Sequence, residues 1–334
     1  MMDYRKLLLS RYCLDKAFTK AWCFLASDLR SPDRQVALKD PQDLQNVSIA
    51  WPSRYGWDAT PWVHSIRSGL SRYVAVRQTD IPQLPNTAVR IQLHRRGRRH
   101  DVIIDYSDSP QTISDEYLRD CLLYFKMQFR NGGYGDSRVV PGLYVAGDAR
   151  HVYRYLPRLR QIRDASNQEI YDVYGRFGLY RKPSLNAIEK EVKSTRTQAI
   201  SLLMEQNKFR YEGGGRLIEL FRSLRDAARS KVCLDLPGRG PFCFRLVDYL
   251  SIGSCIVAYP HGASLYPPLV PGKHIAYCRP DFSDLVDLCH YYLTHDEERH
   301  RMIRASREYF DAYLHKDCVA GYYLESCLQR IGGA

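Results

Sequence analysis

The sequence lacks the features that mark membrane-spanning, disulfide-rich and metal-binding proteins. It contains no uncharged apolar run of about 18 residues, which excludes a transmembrane helix, and the apolar stretch Leu7–Leu9 is too short for the core of a signal peptide. None of its ten cysteines falls in a C-x-x-C pair, and no D-x-D motif occurs. We therefore expect reduced, mostly buried cysteines, no bound metal and a cytoplasmic location, with a peripheral position at a membrane surface as the alternative.

Composition and charge narrow the class of protein further. The chain has 334 residues, of which 45% are hydrophobic and 26% charged, so we expect a globular protein of two domains. Its net charge is +12, and the sharpest basic cluster surrounds Gly97: Arg95, Arg96, Arg98 and Arg99. Such an excess is typical of proteins that bind nucleic acid, an anionic surface or a phosphate-bearing substrate.

Hydrophobic periodicity in the first half predicts a helical extension and linker over 1–45, followed by a mixture of strands and helices. Two β-rich runs, 89–93 and 101–105, are joined by a basic turn and predict a hairpin. Thr112 and Asp115 resemble a capping box, and the apolar spacing after them predicts a helix that extends to about 129. The polar, basic stretch 148–168 predicts a domain junction.

The second half alternates strands with helices, which predicts a parallel α/β domain. The apolar runs 231–236 and 255–260 are the clearest strands, and strand 231–236 is expected at the centre of the sheet. Ser283 and Thr294 are predicted to cap the two helices that follow the last strand. We expect the last helix, about 316–330, to cross back to the N-terminal domain.

A glycine-containing loop between strand 231–236 and the next helix is the strongest candidate for chemistry. Gly238 and Gly240 allow close approach of a ligand to the backbone. The N–H groups of 242–244 are expected to point out of the helix start, and Arg245 adds a guanidinium one turn later. The string therefore predicts a diphosphate site, and the alternative is a tight turn with an exposed arginine.

The longer string GRGPFCFRLVDYLSIGSCIVAY resembles the donor-binding segment of GT-B glycosyltransferases, specifically the exostosin and protein O-glucosyltransferase group. The downstream PPLVPGKHIAYCRPDFSDLVDL resembles the same group, and the likeness covers about 170–314. Cys243 stands where that group commonly has serine. The resemblance implies an α/β fold of two Rossmann-like domains facing a cleft. It also implies a nucleotide-diphosphate sugar as co-substrate, a UDP-sugar first, and no other cofactor.

The resemblance divides the chain into an acceptor-side domain (1–166), a donor domain (167–315) and a returning C-terminal helix (316–334). It implies transfer of a sugar to a hydroxyl of a glycan, a lipid-linked substrate or another anionic acceptor. Whether the transfer retains or inverts the configuration of the sugar stays open. The alternatives are a glycosyltransferase acting on modified DNA, a catalytically inactive GT-B scaffold, and a non-catalytic basic protein that binds nucleic acid or an anionic polymer.

Candidate site residues follow from this division. Asp105 and Asp108 end a strand of the first half and are candidates for the catalytic base, and Arg245 is expected to neutralise the leaving diphosphate. We expect the basic turn at Arg95, Arg96, Arg98 and Arg99 to bind the acceptor. The predicted donor-binding residues are Arg176, Gly238, Gly240, Phe242, Cys243, Phe244, Arg245, His261, Lys273 and His274.

Overall fold

A computed structural model describes residues 44–54, 60–83, 87–145, 149–165, 169–179, 185–216 and 218–332. The strands of the first half form a six-stranded mixed sheet in the order β2-β1-β3-β4-β5-β6. The β1–β3–β4 pairings are antiparallel, and the others are parallel. The strands are β1 (Val47–Pro52), β2 (Ala75–Thr79), β3 (Ala88–Arg95), β4 (Arg98–Asp105), β5 (Leu123–Lys126) and β6 (Val139–Pro141).

The predicted hairpin is confirmed by the pairing of β3 with β4. Arg95 pairs with Arg98, so the turn contains only Arg96 and Gly97, and both have positive φ angles, 49° and 77°. Two-residue turns with two positive φ angles match the twist of the flanking strands. The side chains of Arg96, Arg98 and Arg99 are exposed.

The second half forms a five-stranded parallel sheet in the order β11-β10-β9-β7-β8, which confirms the α/β prediction and the central position of β9. Its strands are β7 (Tyr171–Arg176), β8 (Tyr211–Gly214), β9 (Ser230–Asp235), β10 (Cys255–Ala258) and β11 (Ala276–Tyr277).

Helices cover these sheets, and a π-helical turn joins the last two. In chain order they are α1 (Thr60–Leu70), α2 (Asp115–Asp120), α3 (Ala149–Asp164), α4 (Ala187–Glu205), α5 (Leu220–Ala228), α6 (Phe244–Ile252), α7 (Leu285–Thr294), α8 (Asp296–Tyr309), the π-helix Phe310–Leu314 and α9 (Lys316–Gly332).

The predicted helix from 115 to 129 is wrong beyond Asp120. The segment Leu123–Lys126 is instead β5, which is buried on both faces between β4 and β6. A strand buried on both faces has a continuous apolar sequence, so its periodicity does not distinguish it from a helix. The predicted N-cap residue of this helix is also wrong, because the side chain of Ser114, and not that of Thr112, accepts the Tyr117 N–H.

Three further differences concern helices. The predicted junction 148–168 contains the long helix α3. Asp284 rather than Ser283 precedes α7, and no side chain caps its first turn. Thr294 ends α7 and bonds the carbonyl of His290 in the preceding turn, so it does not cap α8. The predicted N-terminal extension lies almost entirely outside the described residues.

One hydrophobic cluster joins the two sheets. It includes Ile49 and Phe125 of the first sheet together with Leu246 and Leu250 of α6. Helix α9 packs on the first sheet, where the ring of Tyr323 stacks on Phe125 at 3.9 Å between centroids. The two halves therefore share a core. None of the described helices combines the length and the apolar character needed to span a bilayer.

Candidate active site

The second sheet changes winding direction between β7 and β9. The chain moves from β7 outward to β8, then returns past β7 to β9 and continues to β10 on the other side. In open parallel sheets the carboxyl ends of the two strands at such a point border a crevice in which ligands bind. Here those ends are Arg176 and Asp235.

Arg245, in the first turn of α6, extends into this crevice. Its Nε donates to Asp235 Oδ1 at 3.2 Å, and its terminal nitrogens donate to the carbonyls of Leu236 at 2.6 Å and Arg176 at 3.4 Å. The guanidinium lies over the ring of Phe177, 4.6 Å from its centroid. Burial lowers the pKa of Arg245, but the Asp235 carboxylate, together with smaller contributions from Cys243 and Tyr249, raises it above its ordinary value. The group is therefore a fixed positive charge.

Asp235 connects Arg245 to a second group, His261. The other carboxylate oxygen, Oδ2, lies 3.2 Å from His261 Nε2, and His261 Nδ1 lies 3.0 Å from the Tyr277 hydroxyl. Asp235 is 1% exposed. The predicted donor residue His261 is thus in the crevice, and its partners Asp235 and Tyr277 were not predicted.

The glycine-containing loop is held by residues that follow β4 and β5 of the first sheet. Gln128 accepts the N–H of Phe242 at 3.1 Å and donates to the carbonyl of Phe242 at 3.0 Å. A Cβ on Gly240 would lie 2.7 Å from the carbonyl oxygen of Asp108, so only glycine fits there. The predicted free N–H at Phe242 is therefore occupied, and the loop serves as a contact between the two halves.

The other residues of this loop and helix start lie close by. A Cβ on Gly238 would lie 2.6 Å from the sulfur of Cys243, and burial raises the pKa of that thiol. The ring of Phe244 packs against Tyr144 of the first half, with centroids 5.6 Å apart. The Cys243 thiol and the Arg245 guanidinium both donate to the carbonyl of Leu236, directly after β9.

Arg196 is a component of the site that the sequence did not reveal. It is buried on α4, and it donates to the carbonyls of Gly178 at 2.6 Å and Pro237 at 2.9 Å. These carbonyls belong to the loops after β7 and β9, so Arg196 holds the two sides of the crevice together. On the outer side, Arg239 pairs with Glu189 at 2.5 Å.

Asp105 does not face the crevice, contrary to prediction. It is 3% exposed, it pairs with the fully buried Lys126 at 2.8 Å, and it accepts the Tyr124 hydroxyl at 2.6 Å. Burial lowers the pKa of Lys126, and the Asp105 carboxylate partly opposes that. The strand β4 thus ends in a buried ion pair that fixes the following loop, and the role of Asp105 is structural.

Asp108, in that loop, is an exposed residue whose carbonyl oxygen lies against Gly240 of the glycine-containing loop. Desolvation by the surrounding loops raises the pKa of Asp108, although the charges of Arg239 and Lys126 oppose the rise. A carboxylate with a raised pKa beside the glycine-containing loop is suited to accept a proton. Of the two predicted bases, Asp108 has the accessible position.

The remaining predicted residues lie elsewhere. The Arg176 side chain is directed to β8, where it pairs with Glu212, and only its carbonyl meets Arg245. Lys273 is exposed in the turn that precedes β11, and His274 is buried beside it. The His274 ring is buried against Tyr309, and its Nδ1 accepts the Val270 N–H.

The basic hairpin tip is also distant from the crevice. It begins β4, whereas the Asp108 loop follows the end of β4, and eight residues of strand span about 25 Å. The tip therefore lies at the far end of the first sheet. The structure does not bring Arg95, Arg96, Arg98 and Arg99 to Arg245.

Two cavities border the segment 265–269. One, of about 330 Å³, lies between the halves beside His261 and Tyr277. The other, of about 480 Å³, lies against α9 and is walled by Tyr266, Tyr313 and Tyr322. No group of three metal-binding side chains occurs within the part of the chain that the structure describes.

The comparisons with known proteins give no assignment. No family model matches the chain, and no curated protein matches it.

Proposed function

We propose that this protein is a GT-B glycosyltransferase that moves a sugar from a nucleotide-diphosphate sugar to an acceptor hydroxyl. The observation that carries the proposal is the position of Arg245, whose guanidinium lies at the winding switch of the parallel sheet beside the start of α6. The resemblance of the segment around Arg245 to glycosyltransferase donor sites supports the same assignment.

The chemistry of the proposed reaction matches the groups around the crevice. When the bond between sugar and diphosphate breaks, negative charge grows on the leaving diphosphate. A guanidinium that is already fixed by Asp235 and Phe177 stabilises that charge without reorganisation. The partial positive charge at the start of α6 adds to this effect. Asp108 is the proposed base that takes the proton of the acceptor hydroxyl.

Nucleotide binding tests the proposal directly. We expect UDP or another nucleoside diphosphate to raise the melting temperature, because ligand at about 100 times its Kd stabilises a protein by about 2.7 kcal/mol. Inorganic phosphate and UMP should give smaller shifts, and release of UDP from UDP-sugars in the presence of hydroxyl acceptors would report turnover. The absence of any shift across uridine, adenosine, guanosine and thymidine diphosphates and their sugars would contradict the proposal.

A second candidate function, binding of an anionic polymer, is favoured by the exposed hairpin tip. Its four arginines extend from the end of the first sheet. If they contact phosphates, replacing Arg95, Arg96, Arg98 and Arg99 together by serine should weaken binding of duplex DNA or heparin. For duplex DNA it should also reduce the slope of log K against log salt by about 3.6.

The same variant separates the two candidate functions. Because the tip lies about 25 Å from the Asp108 loop, the quadruple variant should retain the wild-type thermal shift with nucleoside diphosphates. It thereby serves as the control for the nucleotide experiment. An unchanged salt slope would show that the tip is a solvated turn, and a lost nucleotide shift would show that it reaches the donor.

A further inference from the structure

The smaller cavity, of about 330 Å³, has one polar wall that is organised by buried groups. This wall is made by His261 and Tyr277, which line the cavity, and by Asp235 behind them. The other walls are mostly apolar. Phe242, Leu265 and Leu269 are among the apolar lining residues.

The hydrogen bonds of this wall run in one direction when the His261 ring is neutral. The Asp235 carboxylate can only accept, so His261 Nε2 carries the proton that is directed at it. In the neutral ring Nδ1 is then the acceptor, and the Tyr277 hydroxyl donates a hydrogen bond to it. Burial and the Asp235 charge raise the pKa of Tyr277 to about 12, so its hydroxyl keeps this proton at neutral pH.

The direction of these hydrogen bonds determines what the cavity can bind. Because Tyr277 donates its only proton to His261, the lone pairs that remain on its oxygen can only accept. A ligand group that meets this oxygen must therefore be a donor. The apolar walls, with the Phe242 ring tilted against His261 at 4.8 Å, favour the faces of a ring over a charged group.

We infer that this cavity binds a hydroxyl-bearing ring of the nucleotide sugar, through a hydroxyl that donates to Tyr277. The inference rests on the proposed function. Two rings of that substrate share this chemistry, the ribose and the transferred sugar. Asp235 holds both Arg245 and His261, so one buried carboxylate aligns the diphosphate site with the ring site.

The experiment compares ligands that differ by one hydroxyl, with wild type and Tyr277→Phe. Dissociation constants are measured at pH 8 for UDP, 2′-deoxy-UDP, 3′-deoxy-UDP and UDP-glucose. If the ribose occupies the cavity, loss of one ribose hydroxyl should weaken wild-type binding about tenfold and Tyr277→Phe binding less than twofold. If the transferred sugar occupies it, Tyr277→Phe should weaken UDP-glucose about tenfold and leave UDP unchanged.

Tyr259→Phe is the matched control. Tyr259 follows β10, as His261 does, but its ring packs on Phe282 outside the cavity, so this variant should bind every ligand like wild type. If Tyr277→Phe also discriminates all four ligands like wild type, the ring site is wrong and the nucleotide site stands. If wild type binds neither UDP nor UDP-glucose, nor any other nucleoside diphosphate, both proposals are wrong.

Discussion

Replacing Arg245 by alanine is expected to lower the free energy of unfolding by about 3–5 kcal/mol, because it leaves a buried carboxylate without its charged partner. Asp235 is 1% exposed and Arg245 Nε lies 3.2 Å from it. The same change removes a charged donor from the proposed diphosphate site, which should weaken nucleoside diphosphate binding by about 1.5–3 kcal/mol. Urea unfolding and titration calorimetry measure the two effects.

A second substitution separates stability from binding. In Asp235→Asn combined with Arg245→Ala the buried charge is gone, so we expect more than half of the lost unfolding free energy to return. Binding of the nucleoside diphosphate should stay lost, because the guanidinium is still missing. Arg245→Lys should bind weakly, since an ammonium does not reach Asp235 and the Leu236 carbonyl together as the planar fork does.

Two outcomes would contradict this view of Arg245. An alanine variant whose unfolding free energy stays within 1 kcal/mol of wild type would show that Asp235 does not depend on the pair. An alanine variant with wild-type affinity for nucleoside diphosphates would show that the diphosphate lies elsewhere.

The sequence predicted the second half of the molecule well because its strands and helices carry clear local signals. The run 231–236 is apolar, and it ends at a proline and two glycines, which is typical of a strand followed by a ligand-facing turn. The last helix, predicted over about 316–330, is observed as Lys316–Gly332 and differs only at its end, where local signals are weakest.

The components of the site that were missed depend on contacts distant in sequence. Gln128 is ordinary in sequence, and its clamp on Phe242 spans 114 positions. Arg196 lies on a polar helix, and nothing local distinguishes it from the exposed arginines of the chain. Asp235 had a usable signal, because a carboxylate at the end of a buried central strand, directly before the glycine-containing loop, needs a cationic partner.

The two aspartates at the end of β4 show the same limit. Asp105 and Asp108 are three residues apart, and both are polar residues at the end of an apolar strand. Their surroundings differ because Lys126 of β5 pairs with Asp105 and not with Asp108. The periodicity of the sequence had assigned this strand to a helix. The error in secondary structure and the error in assigning the site therefore have one cause.

Asp108→Asn is expected to lower kcat/KM of the proposed transfer by about 10²–10⁴, the usual contribution of a general base. The folded protein should be as stable as wild type or slightly more stable at pH 7. The reason is the raised pKa of Asp108, caused by desolvation. The folded state holds the Asp108 proton more tightly than the unfolded state, so this stabilising contribution is present at low pH and is lost as pH rises through the folded pKa.

Asp105→Asn is the matched control, since it changes the same atoms at a structural carboxylate. It should lower the free energy of unfolding by about 3–5 kcal/mol, because Lys126 is fully buried and loses its partner. Urea unfolding should therefore distinguish the two variants by their free energies of unfolding, without an activity assay.

The pH profile provides the second test of Asp108. A base acts when deprotonated, so wild-type kcat/KM should rise with pH through the pKa of Asp108, above the ordinary aspartate value of 3.8. The rise should be absent in the residual activity of Asp108→Asn. An asparagine amide cannot replace a carboxylate as base. If Asp108→Asn keeps the wild-type kcat/KM and the same decrease at low pH, another group takes the proton of the acceptor hydroxyl.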